Sequence, residues 1–316
     1  MNPDLPVWVA GHRGLVGSAV VRALKVRGHR NFLLKTHADL DLTRQAAVET
    51  FVTQEKPALV VLAAAKVGGI QANNTLRYDF IQQNLAIAAN VIEACRVNGV
   101  GRLINLGSSC IYPRDAAQPM AEEALLTGPL EATNEPYAVA KIAAVAMVES
   151  CNRQYGTDYL SLMPTNLYGP GDNYDLSGSH VLPALVRKFH EAKIAGHTPV
   201  TVWGSGSPQR EFLHSDDLAE AILFAAEKVR ATDVPRALLN VGSGQEVTIR
   251  QLAEAVQRTV GHTGPLVWDA SKPDGTPRKL QDTRRLDALG WKARITLEDG
   301  LRRTYQDFLR EQTRIG

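Results

Sequence analysis

The sequence predicts an α/β chain built on a doubly wound parallel sheet, with a smaller C-terminal lobe interleaved with it. Three observations carry this. Short apolar runs alternate with helical stretches through the first half of the chain. The runs are continuous in polarity, as strands covered on both faces are. Long after that alternation loosens, Leu238-Leu239-Asn240-Val241-Gly242 reads as one more strand returning to the same sheet.

Taken in order, the strand candidates are Val7–Ala10, Phe32–Lys35, Leu59–Ala64, Leu103–Leu106 and Tyr159–Met163. Helical patterns fill the gaps at 15–28, 43–55, 80–98 and 137–154, with Thr43 placed to cap the second. Repeated βα units imply right-handed crossovers and ligands at the carboxyl ends of the strands. Residues 164–180, rich in Gly, Pro, Asn and Tyr, read as a long active-site loop. Helices follow at 180–195, 215–229, 248–260 and 297–312, with a strand at 199–203. The expected division is 1–169 for a nucleotide-binding Rossmann domain, with returns near 210–250, and 170–316 mainly for a substrate lobe.

Composition narrows the function classes. The 316 residues are 44% hydrophobic and 22% charged, with a net charge of +2, ordinary for a globular protein and without the basic excess of a nucleic-acid binder. No apolar run approaches the roughly 20 residues of a membrane span, and no leader pattern precedes the first strand. Three cysteines, Cys95, Cys110 and Cys151, are too few and too odd for a disulfide framework and fit a reducing compartment. A cytoplasmic protein without membrane or nucleic-acid partners, and without a metal site, is expected.

Gly11-His12-Arg13-Gly14-Leu15-Val16-Gly17 joins the first strand to the first helix. Glycines at this spacing allow a tight turn, a close approach to a pyrophosphate and helix-on-strand packing, while the helix N-terminus offers free N–H groups. An NAD site usually has an acid at the end of the second strand. Here that strand ends Leu34-Lys35-Thr36-His37, and Asp39 comes later. Lys35 and Arg13 are suited to a 2′-phosphate, so NADP is the expected cofactor.

Tyr137 and Lys141 lie four apart at the start of a helix and share one face. With Ser108 at the mouth of the fourth strand they make a set that moves a proton to a carbonyl while a nicotinamide moves a hydride. A lysine beside a phenol is expected to draw the tyrosine pKa down. Cys110, two residues after Ser108, is not needed for reduction. It is placed to take a proton from a carbon beside a ketone, with His180 at the end of the long loop as its partner. Cys95 and Cys151 read as small buried hydrophobes inside helices.

Further segments carry a resemblance. Ala63-Ala-Ala-Lys-Val-Gly-Gly-Ile70, Gly107-Ser-Ser-Cys-Ile-Tyr-Pro113, Asn134-Glu-Pro-Tyr-Ala-Val-Ala-Lys141, Met163-Pro-Thr-Asn-Leu-Tyr-Gly169, Trp203-Gly-Ser-Gly, Arg210-Glu-Phe-Leu-His214 and Lys272-Pro-Asp-Gly-Thr-Pro-Arg-Lys279 accompany the glycine turn. Together they resemble the GDP-L-fucose synthase family of extended short-chain dehydrogenases, nearly end to end. The resemblance implies epimerisation of GDP-4-keto-6-deoxy-D-mannose at C3 and C5 and reduction at C4 with NADPH. It implies that Ser108, Tyr137 and Lys141 reduce, and that Cys110 and His180 are base and acid of the inversions. Gly11–Gly17, Leu106, Gly107, Ser108, Ser109, Lys141, Pro164, Thr165, Asn166, Leu167 and His180 would contact NADP. Lys188, Trp203, Arg210, Asp274 and Lys279 would bind the GDP-sugar. The chain departs from the family pattern at Arg187-Lys188, where two arginines are common, and at Lys35-Thr-His37, where Arg-Thr-Arg is common.

Rival readings on the same scaffold are a nucleotide-sugar 4-epimerase, a 4,6-dehydratase and a non-catalytic NADP-sensing protein. A dehydratase would carry Thr with an Asp-Glu pair after the fourth strand, where this chain has Ser108-Ser109-Cys110. A sensor could discard Tyr137 and Lys141, and this chain keeps both. The small and apolar residues of helices 80–98 and 137–154 suggest a homodimer through a four-helix interface.

Overall fold

The computed structural model describes residues 2–176, 178–271, 274 and 276–315. The first half runs β1 (Val7–Ala10), α1 (Leu15–Val26), β2 (Phe32–Leu33), α2 (Gln45–Glu55), β3 (Leu59–Leu62), α3 (Ile70–Thr75), α4 (Arg77–Val97), β4 (Arg102–Leu106), α5 (Glu135–Tyr155) and β5 (Tyr159–Pro164). The second half runs β6 (Asn166–Tyr168), α6 (Val181–Ile194), β7 (Val200–Trp203), β8 (Gln209–His214), α7 (Ser215–Lys228), β9 (Leu238–Val241), β10 (Glu246–Thr248), α8 (Ile249–Val260), β11 (Leu266–Asp269), β12 (Arg278–Lys279), α9 (Arg284–Ala288) and α10 (Leu297–Ile315).

Six strands form the main sheet in the order β2-β1-β3-β4-β5-β9, parallel throughout. The order reverses between β1 and β3, which places the ligand crevice at the carboxyl ends of those strands. β1, β3 and β9 are buried along their whole length, the condition that their unbroken apolar runs require. Trp8 of β1 meets Phe51 of α2 edge-on, with ring centroids 4.8 Å apart. Cys95 and Cys151 are buried in α4 and α5 and pack into this core.

Two of the sequence expectations need correction. α2 starts at Gln45 and has no side-chain cap; Thr43 instead gives its hydroxyl to Asp41 at 2.7 Å. The aspartate is the stronger acceptor, so the threonine closes a local turn before the helix begins. β2 stops at Leu33, leaving Lys35 beyond the ladder.

A second hydrophobic cluster gathers α6, α8, α10 and their strands around Phe189, Leu252 and Phe308. Here β8 is the centre: β10 pairs with it antiparallel, and β6 and β12 pair with it parallel. β7 and β11 form a separate parallel pair. β6, β10 and β12 escape sequence reading because they are only two or three residues long, and β8 because it opens on Gln209-Arg210-Glu211, so each lacks the unbroken apolar run that marks a buried strand. No described helix is long and apolar enough to cross a membrane.

A buried polar seam joins the two halves. The fully buried Glu211 accepts from the Gly244 N–H at 2.7 Å and the Gln281 N–H at 3.1 Å. Its own carbonyl accepts from Thr165 and Asn166. Asn240 of β9 is likewise saturated: its N–H donates to Glu122, its amide donates to the Met120 and Asp282 carbonyls, and its Oδ1 accepts from Tyr112. An unmet carboxylate or amide at this depth would cost several kcal/mol, on the order of ~2–7 for a neutral group, so these bonds fix the strand ends against one another.

Candidate active site

The glycine turn sits between β1 and α1 as expected. Gly11 has a φ of +86°, and a Cβ on Gly17 would collide with the Gly11 carbonyl, so helix and turn pack closer than any side chain permits. No side chain caps the first turn of α1, and it holds no acid. Its positive end is therefore available to a phosphate. Arg13 and Lys35 both lie within electrostatic range of Asp39. Asp39 is already engaged, accepting from the Thr36 N–H at 3.0 Å and hydroxyl at 2.7 Å. The two cations thus gather at the end of β2 around a carboxylate turned into its own loop. His12 completes this corner; burial and Arg13 push its pKa down.

Beyond β4 the chain turns through Gly107 into Ser108, which is extended, and then into a single 3₁₀ turn, Ser109–Ile111. That turn brings Cys110 back beneath Ser108, whose Oγ accepts from the Cys110 N–H at 3.4 Å. Pro136 in the first turn of α5 starts the helix that carries Tyr137 and Lys141. The Ser108 side chain lies near both the Tyr137 phenol and the Cys110 thiol and favours the ionised form of each. Lys141 donates to the Leu106 carbonyl at 2.8 Å, and its Nζ stands 5.8 Å from the centre of the Tyr137 ring. Phe80 closes the other side, edge-on to Tyr137 at 6.2 Å.

The electrostatics differ from the expectation in one respect. Burial pushes the Tyr137 phenol well above its ordinary value, and the nearby Cys110 adds to the rise. The same burial pulls Lys141 down to about 8. Desolvation exceeds the attraction that an ammonium nearly 6 Å from the ring can exert. Tyr137 is therefore a protonated donor at neutral pH. Burial also raises Cys110, partly offset by Lys279, Ser108 and Lys141. His180, at the N-cap position of α6, is lowered by its crowded surroundings and by Lys279. The thiol and the neutral imidazole together carry one transferable proton.

Cys110 borders a small cavity lined also by Tyr112, Gln118, Glu131, Arg278 and Lys279. Lys279 lies within electrostatic range of both Cys110 and His180. Lys188 lies 5.8 Å from the centre of the Trp203 ring. Arg210 is desolvated, with Asp274 as its balancing charge. The Asp274 carboxylate accepts from the Ser205 N–H at 2.9 Å and hydroxyl at 2.7 Å, so it braces the Trp203–Ser207 loop. Lys272, Pro273 and Gly275 lie outside the described residues. Leu106, Gly107 and Ser109 border the strand end, and Pro164, Thr165, Asn166 and Leu167 follow from β5 into β6 beside it.

Sequence reading missed Glu131, Gln118, Tyr112 and Asn240. Glu131 sits in a turn-rich stretch without periodicity, and the other three gain meaning only from pairings across the fold. Among the described residues no group of three or more His, Cys, Asp or Glu side chains could hold a metal ion.

A serine at a strand end, a tyrosine four residues before a buried lysine, and a glycine turn at the switch of strand order define a nucleotide-dependent dehydrogenase. Residues 7–242 match the NAD dependent epimerase/dehydratase family. The chain is 58% identical over 304 residues to GDP-L-fucose synthase 1 of Arabidopsis thaliana, covering 96% of this chain and 93% of the plant protein. It is 54% identical to GDP-L-fucose synthase of Escherichia coli, with 98% of each chain covered. A GDP-mannoheptose C4 reductase from Campylobacter jejuni, solved with NADP bound, superposes with a TM-score of 0.91 at 39% identity, covering 98% of this chain and 99% of that one. The chain belongs to the NAD dependent epimerase/dehydratase family and, within it, to the GDP-L-fucose synthases.

Proposed function

We propose that this protein converts GDP-4-keto-6-deoxy-D-mannose to GDP-L-fucose, inverting C3 and C5 and then reducing C4 with NADPH. The observation that carries this is the place of Ser108, whose side chain lies close enough to both the Tyr137 phenol and the Cys110 thiol to favour their ionised forms. A reducing group and an epimerising group therefore meet at one point, where a single ketone oxygen can serve both.

The ketone acidifies the hydrogens on both neighbouring carbons, so one electrophilic centre is enough for two inversions. Ser108 and Tyr137 hydrogen-bond that oxygen and stabilise the enolate. Each inversion needs a proton removed and another returned, the work of Cys110 and His180 as base and acid. In the reduction, protonated Tyr137 gives its proton to the oxygen at C4, and Lys141 keeps a positive charge beside it. Gly11–Gly17, Arg13, Lys35, Leu106–Ser109, Lys141, Pro164–Leu167 and His180 would hold NADPH, which when bound would supply the hydride. Trp203 offers a flat surface to guanine or sugar, and Lys188, Arg210 and Lys279 offer charge to the pyrophosphate, with Asp274 steadying the loop.

On this reading residues 1–169, with the returns near 210–250, serve the cofactor, and 170–316 mainly the sugar nucleotide. A homodimer through α4 and α5 fits their mutual packing and exposed Val97, Val139 and Tyr155, and the cytoplasm fits three free cysteines. The test is incubation with GDP-4-keto-6-deoxy-D-mannose and NADPH, followed by NMR of the product. Stoichiometric NADPH oxidation with L-fucose configuration supports the reading; a D-rhamnose or D-talose configuration would leave only a reductase.

A further inference from the structure

We propose that Lys279 is the charge partner of Cys110, its ammonium holding the sulfur as thiolate while a proton is taken from the carbon beside the ketone. The proposal rests on the epimerase-reductase reading above and adds a residue to its epimerising half.

The geometry is set by one buried amide. Tyr112, two residues beyond Cys110, donates to Asn240 Oδ1 at 2.5 Å. Gln281, two residues beyond Lys279, donates to the same oxygen at 3.1 Å. The segments are stapled again nearby, where the Met120 N–H donates to the Leu280 carbonyl at 2.8 Å and the Asp282 N–H to the Met120 carbonyl at 2.9 Å. Gln118 adds a third clasp, accepting from the Leu280 N–H at 2.8 Å. Cys110 and Lys279 are thereby fixed in mutual register on the wall of one cavity. From the other side β12 pairs with β8, setting Lys279 opposite Arg210.

The groups facing each partner favour this division. Cys110 has Lys279, Lys141, Tyr137 and Ser108 around it. Of the two cations, Lys141 is already bonded to the Leu106 carbonyl. Lys279 has Cys110, Arg210, Glu131 and His180 around it. Arg210 repels its charge, whereas Glu131 and a Cys110 thiolate favour it. A proton passes from the sulfur to the Lys279 amine, giving thiolate and ammonium. The thiolate then forms an S–H bond with the hydrogen from carbon, and the C–H electron pair moves into the enolate held by Ser108 and Tyr137. The same ammonium lowers the pKa of His180, which makes its imidazolium the stronger acid for returning a proton.

The pH dependence of Cys110 alkylation by iodoacetamide, mapped by peptide mass so that Cys95 and Cys151 are read apart, tests this without substrate. In Lys279→Met the midpoint of the alkylation profile rises by about one pH unit or more, making the reaction about tenfold slower at neutral pH. In Lys279→Arg the midpoint stays near that of the parent protein. Lys279→Gln provides a second neutral variant if Lys279→Met does not fold. An unchanged midpoint in the neutral variants, or an equal rise in Lys279→Arg, would overturn the proposal. Absence of fucose from the parent protein would sink the proposed activity instead, and leaves the alkylation result standing.

Discussion

The ammonium of Lys141 is tied to the carbonyl of Leu106 at 2.8 Å, so it belongs to the strand that delivers Ser108 as much as to Tyr137. That bond occupies a carbonyl that β4 leaves unpaired where the sheet ends. Lys141→Met removes a buried charge, which favours the fold, and orphans that carbonyl, which costs about 1–3 kcal/mol. The two effects are of similar size, so the expected thermal midpoint is within a few degrees of the parent while reduction falls by about 10²–10⁴. Parallel melting curves and NADPH oxidation rates check this.

The same lysine sets a pH dependence. Its pKa is lowered to about 8 in the folded protein, below its ordinary value of roughly 10.4. Between these values the unfolded chain binds more protons than the folded one, so this group makes stability rise with pH across that window. Reduction moves the other way, declining as pH passes about 8 and the ammonium is lost. Lys141→Met should flatten the stability rise over that interval in denaturant titrations at several pH values.

Cys110→Ser keeps the loop and the Ser108 contact but replaces the thiol with a far weaker acid. Solvent deuterium should no longer enter C3 and C5, while C4 is still reduced and an unepimerised 6-deoxy sugar accumulates. Full fucose formation by this variant would remove Cys110 from the mechanism.

Arg13→Ala with Lys35→Ala should weaken NADPH binding by about tenfold or more and leave NADH nearly unaffected, since a charge-assisted contact contributes ~1.5–3 kcal/mol. An unchanged ratio of the two affinities would place the 2′-phosphate elsewhere.

Asn240→Ala strips the buried seam of a residue that bonds Tyr112, Glu122, Met120, Asp282 and Gln281. The backbone bond to Glu122 survives, and the lost amide bonds should cost roughly 2–4 kcal/mol of stability, read by chemical denaturation. The Cys110 alkylation profile should broaden or shift in the same variant, because the amide that sets the register of Cys110 and Lys279 is gone.

The parallel sheet was legible because its strands are buried on both faces and so write themselves as unbroken apolar runs. Tyr137, Lys141, Ser108 and the glycine turn were legible for a related reason: their spacing is fixed by one helix face and one tight turn. What stayed hidden depends on partners distant in the chain. β8 is polar at Gln209 and Arg210 and becomes a strand only by pairing with β6, β10 and β12. Glu211, Asn240 and Gln281 look like ordinary polar residues until the fold buries them together. The pKa of Tyr137 was misjudged because the sequence places a lysine near it but says nothing of how much water both lose.

β9 fills the outer edge of the main sheet, yet it is made long after its neighbour β5. While the chain emerges from the ribosome, the N–H and C=O groups along that edge of β5 have no strand to meet. An open edge of this kind invites pairing with another nascent chain. Completion of the main sheet must therefore wait for a segment synthesised after α6, β8 and α7. A fragment ending before Leu238 leaves that edge of β5 open and is expected to aggregate rather than bind nucleotide.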